Sequence, residues 1–233
     1  MIYVTSDLHG FRPETFQALL ARAGFSDDDF LFILGDVIDR GEHGAALLLW
    51  LTQQPNMQLI LGNHEALLLA CRFLFRAVNE DSLADLTGEH LLLLENWMQN
   101  GGSPTLAGFR KLLRDDPDLV EGILEYLEDA PLYETVETGG RQYVLVHSGL
   151  GNFRPDKDLD DYTAEELLMT RPTPDDAYWN GTTVVFGHTP TEYFSEASRG
   201  RAFRTPTWIC IDTGAARCGT PMLLRLDDER EFY

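Results

Sequence analysis

Runs of four or five apolar residues, each closed by a glycine or a polar turn, recur along the chain. Ile2–Thr5, Phe30–Leu34 and 57–61 are apolar at most positions and rich in leucine or β-branched side chains, as buried strands are. Between them the apolar spacing becomes helical. One helix is expected over Pro13–Ala23, with proline in its first turn and Gly24 just past its end. A second is expected over 42–54, closed by Pro55. Strand, helix, strand, helix, strand is the rhythm of a parallel βαβαβ sheet.

From 65 to about 128 the pattern is helical throughout, with breaks expected at 79–85 and 99–104 and leucine stripes that read as packing. Strands return at 133–137 and 142–146, with Gly139-Gly140 suited to a hairpin turn. Further strands are expected at 183–186, 202–204, 208–211 and 222–226. The fold class is α/β. One domain over 1–233 accommodates the pattern as a four-layer αββα sandwich of two packed sheets flanked by helices, with a helical insert at about 65–131.

Composition narrows the classes of partner. The net charge of −20 argues against nucleic acid, whose binders need a basic face. Lys111 and Lys157 are the only lysines. No apolar run is long enough to span a bilayer, and with a strand expected from Ile2 no secretory leader is expected. Cys71, Cys210 and Cys218 are odd in number and lack CxxC spacing, so Cys71 and Cys210 are expected as buried thiols. A cytoplasmic protein without a membrane partner is the expectation, with oligomeric state open.

Six polar fragments change the picture: Asp7-Leu8-His9, Gly35-Asp36-x-x-Asp39-Arg40-Gly41, Gly62-Asn63-His64-Glu65, His147-Ser148-Gly149, Gly187-His188-Thr189 and Asp212-Thr213-Gly214. Most follow directly on an expected strand, where open sheets build their sites. Each alone is a turn or a cap as readily as a ligand; together, in this order, they form a donor set of carboxylate, amide and imidazole without thiolate. Hard or borderline divalent cations prefer such a set. Two cations about 4 Å apart can orient a hydroxide and clamp a phosphoryl oxygen for in-line attack. Arg40 offers a planar fork for phosphate oxygens, and His64 could protonate a leaving alkoxide if Asp39 holds it as imidazolium.

These motifs resemble the signature of the calcineurin-like metallophosphoesterases. Asp39-Arg40-Gly41 and Asn63-His64-Glu65 point to the phosphoprotein-phosphatase branch, and Asp212-Thr213-Gly214-Ala215 is similar to its compact phage and bacterial members. The resemblance implies that Asp7, His9 and Asp36 hold one metal and that Asp36, Asn63, His147 and His188 hold a second. It implies His64 as general acid oriented by Asp39, and Arg40 as a phosphate ligand. Arg171, ahead of Arg154, matches the family's second phosphate-binding arginine. Two divalent ions are implied, manganese first, with iron or zinc as alternatives.

The chain departs from the family pattern at Ser6, Ser148, Leu61 and Arg217, the last where relatives often carry an aromatic residue. Arg217 is expected to pair with the acidic surface, ahead of the other reading, that it adds positive charge at the site mouth. Asn100-Gly101-Gly102 reads as a helix-terminal turn without chemistry. The expected activity is hydrolysis of phosphoserine or phosphothreonine in proteins, with phosphotyrosine a further option, by attack of a metal-bridging hydroxide. The alternative is symmetrical hydrolysis of diadenosine tetraphosphate. Net charge favours the phosphoprotein, because an acidic chain repels a polyanion at long range. For the alternative, Trp97 and Phe109 are the candidates for stacking on a base.

Overall fold

Alternate residues of the central strands face opposite layers, and this sorting builds the architecture. The computed structural model describes residues 1–75 and 87–233, apart from the side chain of Cys218. The first sheet has the order β10-β9-β1-β2-β3, from β1 (Ile2–Thr5), β2 (Phe30–Leu34), β3 (Met57–Ile60), β9 (Leu223–Arg225) and β10 (Arg230–Phe232). The second has the order β4-β5-β6-β8-β7, from β4 (Tyr133–Thr138), β5 (Arg141–Val146), β6 (Thr182–Phe186), β7 (Phe203–Arg204) and β8 (Trp208–Cys210). β1, β2 and β3 run parallel, as do β5, β6 and β8, while the outer strands β10, β9, β4 and β7 pair antiparallel.

Val4, Phe32, Leu34 and Ile60 of the first sheet meet Tyr143, Leu145, Val185 and Ile209 of the second in one buried layer. Tyr3, Leu31, Ile33 and Leu59 face the other way, into a core shared with the helices. These are α1 (Pro13–Ala23), α2 (Gly44–Leu51), α3 (Asn63–Ala70), α4 (Gly88–Gln99), α5 (Ser103–Asp115) and α6 (Pro117–Glu128). Val144, Val184, Phe186 and Trp208 line a third core with Leu150, Tyr162 and Leu167. Burial on both faces is why these strands read as continuous apolar runs. The fourth layer is thin, made of the short α7 (Ala164–Leu168) and the loops around it.

The mixed α/β architecture with two sheets agrees with the expectation, and two details differ. The stretch 103–128 is two helices, because Pro117 has no N–H to continue α5; it starts α6 instead, with Asp116 Oδ1 accepting from Asp118 N at 3.1 Å. The C-terminal strand β10 escapes the pattern because it is a charged edge, Arg230-Glu231-Phe232. The break expected at 79–85 lies outside the described residues. Cys71 and Cys210 are buried thiols. No described helix is long and apolar enough to cross a membrane.

Candidate metal centre

The loops after β1, β2, β3, β5, β6 and β8 converge at the C-terminal ends of the parallel strands. There they bring together Asp7, His9, Asp36, His64, His147, His188 and Asp212, all at least nine-tenths buried. Backbone bonds stitch neighbouring loops: Asp7 N donates to Gly35 O at 3.1 Å, His9 N to Asp36 O at 2.8 Å, and Gly187 N to His147 O at 2.8 Å. Asp7, His9, Asp36, Asp39, Arg40 and His188 all have positive φ, between 42° and 66°. L-residues adopt this conformation at a cost, and strain of this kind collects where a site dictates the geometry. Gly187 is obligatory for a simpler reason: a Cβ there would collide with the Asp7 carboxylate.

Two groups of donors share Asp36. In the first, His9 Nε2 lies 3.7 Å from Asp36 Oδ2 and 3.9 Å from Asp7 Oδ1. His9 Nδ1 donates to Ile38 O at 3.0 Å, which turns the Nε2 lone pair toward the carboxylates. His64 Nε2 approaches the same oxygen of Asp36 at 3.8 Å, and the Arg40 guanidinium donates to His9 Nε2 at 2.8 Å and His64 Nε2 at 3.1 Å. In the second group His147 Nδ1 donates to Leu34 O at 2.7 Å, leaving Nε2 unprotonated in a neutral ring. That Nε2 lies 2.8 Å from Asn63 Oδ1, 3.2 Å from His188 Nδ1 and 3.5 Å from Asp36 Oδ1. His188 Nδ1 is 2.9 Å from Asn63 Oδ1.

With Asn63 presenting Oδ1 to both rings, the one hydrogen that can lie between these atoms is a proton on His188 Nδ1, and then the buried His188 Nε2 has no hydrogen-bond partner among the described residues. Without that proton, lone pairs converge with no donor between them. Either way this second group lacks positive charge and a divalent cation fits the deficit; the first group, which shares Asp36, also has its donors close enough together to hold an ion.

The electrostatics agree. Burial, opposed by Asp36 and reinforced by Arg40, lowers His9 to about 4. Burial and then His147 lower His188 to about 3, so these rings are neutral and able to ligate. Burial would raise Asp36, but His147, His64, His9 and His188 together hold it well below the usual carboxylate range. Burial, Asp212 and Asp36 push Asp7 up. Burial opposes a charged His64, yet Asp36 and the hydrogen bond to Asp39 outweigh it and raise that imidazole. His64 Nδ1 donates to Asp39 Oδ2 at 2.7 Å, the pairing expected from the motif.

Arg171 reaches the centre, its Nη1 donating to Thr189 Oγ1 at 3.2 Å and to His188 O at 3.5 Å. It lines a cavity of about 450 Å³ with Arg40, Arg217, His188, Tyr193 and Phe194. Neither Arg154 nor any carboxylate of the described residues lines this cavity. Arg217 pairs with Glu192 at 3.3 Å, as expected, but it also donates to Tyr193 Oη at 3.0 Å and faces the cavity.

Some expectations need correction. Trp97 and Phe109 are wholly buried in the helical core and cannot stack on a ligand. The Gly101-Gly102 turn is not merely a helix end: Gly101 O accepts Arg40 N at 2.9 Å, and Thr105 Oγ1 accepts Asp39 N at 2.9 Å. The motif by itself gives Glu65 no separate role. Fully buried, it receives the backbone N–H of Asp36 and Val37 at 2.8 Å, Gly62 at 3.2 Å and Ile38 at 3.3 Å, bracing the loop that carries the shared aspartate. Its spacing of three from Gly62 is a capping signal legible in the sequence. Burial and Asp36 push Glu65 up to about 7 against those N–H groups. Asp212, also without an expected role, accepts Gly214 N at 2.8 Å and lies near Asp7; burial and Asp36, opposed by that N–H, raise it to about 6.

A family profile described as calcineurin-like phosphoesterase matches residues 1–214. A symmetrical bis(5′-nucleosyl)-tetraphosphatase of Acidovorax ebreus (strain TPSY) is 32% identical over 170 residues, 72% of this chain. The chain covers 47% of that relative, about half its length. A solved structure described as a candidate diadenosine tetraphosphatase superposes with a TM-score of 0.62 at 20% identity, covering 99% of this chain and 90% of the other. A serine/threonine protein phosphatase of Saccharomyces cerevisiae gives 0.59 at 15% identity, covering 98% and 75%. These two structural likenesses speak for the fold alone.

Proposed function

The chain belongs to the calcineurin-like phosphoesterase family, and on that premise we propose that it is a two-metal hydrolase that cleaves dinucleoside tetraphosphates symmetrically. The observation that carries the substrate is the cavity beside His188, where three guanidiniums and an exposed tyrosine line one space without a carboxylate. Arg40 and Arg171 can fork onto the phosphoryl group at the metals, while Arg217 and Tyr193 remain for further phosphates and a base. The identity to the Acidovorax tetraphosphatase supports the same reading over a phosphoprotein substrate. Net charge misleads because it is spread over the surface and screened within about 8 Å at physiological salt, whereas the guanidiniums act at contact.

Asp7, His9 and Asp36 would hold one ion and Asp36, Asn63, His147 and His188 the other, manganese being our proposed metal. Bound there, divalent ions supply acidified water and neutralise phosphoryl charge. Arg40 exchanges its contacts with His9 and His64 for phosphate oxygens, which leaves His64 Nε2 to hold a proton for the departing oxygen. Asp39, accepting the Nδ1–H, stabilises the charged ring. Cleavage between the two central phosphates with one water gives two nucleoside diphosphates.

The test is product analysis. The manganese-loaded protein should convert diadenosine tetraphosphate to ADP alone, with a higher kcat/KM than for phosphopeptides at matched metal and salt. Rapid phosphopeptide turnover without ADP formation would return the assignment to a protein phosphatase.

A further inference from the structure

Trp97, in the last turn of α4, lies against the loop that carries Asp39 and Arg40, and its indole N–H points at a carboxylate rather than at the core. Nε1 donates to Asp39 at 3.0 Å from Oδ2 and 3.2 Å from Oδ1. Oδ2 is also the atom that accepts His64 Nδ1–H at 2.7 Å. All three side chains are almost wholly buried. Gly102 makes the arrangement possible: a Cβ there would come within 2.6 Å of Nε1 and push the ring away. That turn and the first turn of α5 grip the loop backbone through Gly101 O and Thr105 Oγ1, where Asp39 and Arg40 both have φ of 66°.

We propose that Trp97 is a positioning residue for catalysis, its N–H fixing the rotation of the Asp39 carboxylate and, through it, the His64 ring that delivers the proton. The inference rests on His64 as the leaving-group acid. A carboxylate bonded to His64 alone is free to turn about its terminal torsion; a donor shared between both oxygens removes that freedom. Proton delivery is sensitive to such placement, since a misplacement of about 1 Å can cost on the order of 10²-fold. A purely structural Trp97 would need only its shape.

The decisive substitution keeps the shape and deletes the donor: Trp97 replaced by benzothienylalanine, with sulfur for N–H, alongside Trp97→Phe. With manganese, kcat for phenyl phosphate, a poor leaving group, should fall about tenfold or more, the scale of one hydrogen bond to a charged group. 4-Nitrophenyl phosphate should be little affected, and KM should hold. In metal-free protein the His64 Nδ1–H resonance should exchange faster with water. In a His64→Asn background the isostere should add no further loss.

Wild-type rates and an unchanged Nδ1–H signal in the isostere would overturn the role of Trp97 alone, provided His64→Asn shows the leaving-group dependence of an acid. Equal losses on both substrates, or losses that multiply with His64→Asn, would also overturn it. If His64→Asn slows both substrates equally, the acid assignment falls and this inference with it.

Discussion

Glu65→Gln should loosen both halves of the metal centre at once. The carboxylate accepts four backbone N–H groups, two on each oxygen: Asp36 and Gly62 on Oε2, Val37 and Ile38 on Oε1. Glutamine keeps one oxygen and sets an NH₂ against the other two donors, which have no water to turn to because the side chain is fully buried. Two lost bonds to a charged acceptor, at about 1.5 kcal/mol each, amount to about 3 kcal/mol. For a chain of this size that lowers the melting temperature by about 6–12 °C. Asp36 serves both donor groups, so displacing its backbone should weaken both metals by about 10- to 100-fold, the usual scale for a group that orients a ligand. Thermal melts of the manganese-loaded protein at pH 8, where the carboxylate is ionised, and titration calorimetry with manganese measure the two effects. A variant that melts within about 1 °C of wild type and binds two ions with unchanged affinity would refute the bracing role.

Three further outcomes follow from the site. Chelation should abolish turnover and lower the melting temperature, by mass action on the folded state, and manganese should restore both better than magnesium; full activity in metal-free protein would end the two-metal reading. Arg40→Lys and Arg171→Lys should each cut kcat/KM substantially, because an ammonium keeps the charge but not the fork, whereas Arg154→Lys should be silent in the same assay. Tyr193→Ala or Arg217→Ala should raise KM for diadenosine tetraphosphate about tenfold, the lower end of one stacking contact, and leave 4-nitrophenyl phosphate unaffected; equal effects on both would remove them from the substrate path.

Where the donors lie is written in the local pattern of the chain. Asp7, Asp36, Asn63, His147 and His188 each follow a short apolar run, and a strand buried on both faces needs that run whatever surrounds it. The polar residues past its end must then fall at one edge of the sheets. Helix starts and stops are legible where proline or glycine marks the edge of a pattern, as at Pro13 and Gly24; Pro117 sits inside a continuous helical pattern, which hides the same signal.

Which distant residues finish the site depends on how the chain packs. Trp97 has an apolar neighbourhood that any core helix would give it, and its contact with Asp39 spans 58 residues of sequence. Gly101-Gly102 satisfied a local rule for helix ends, so nothing in the sequence asked for a second role. Arg217 and Tyr193 meet across two short helical turns 24 residues apart. Net charge, a sum over the whole chain, said nothing of the cavity where three of its arginines gather. Local patterns encode elements and their ends, because those obey short-range steric and hydrogen-bonding rules. Contacts between loops depend on how the layers pack, and no local pattern records that.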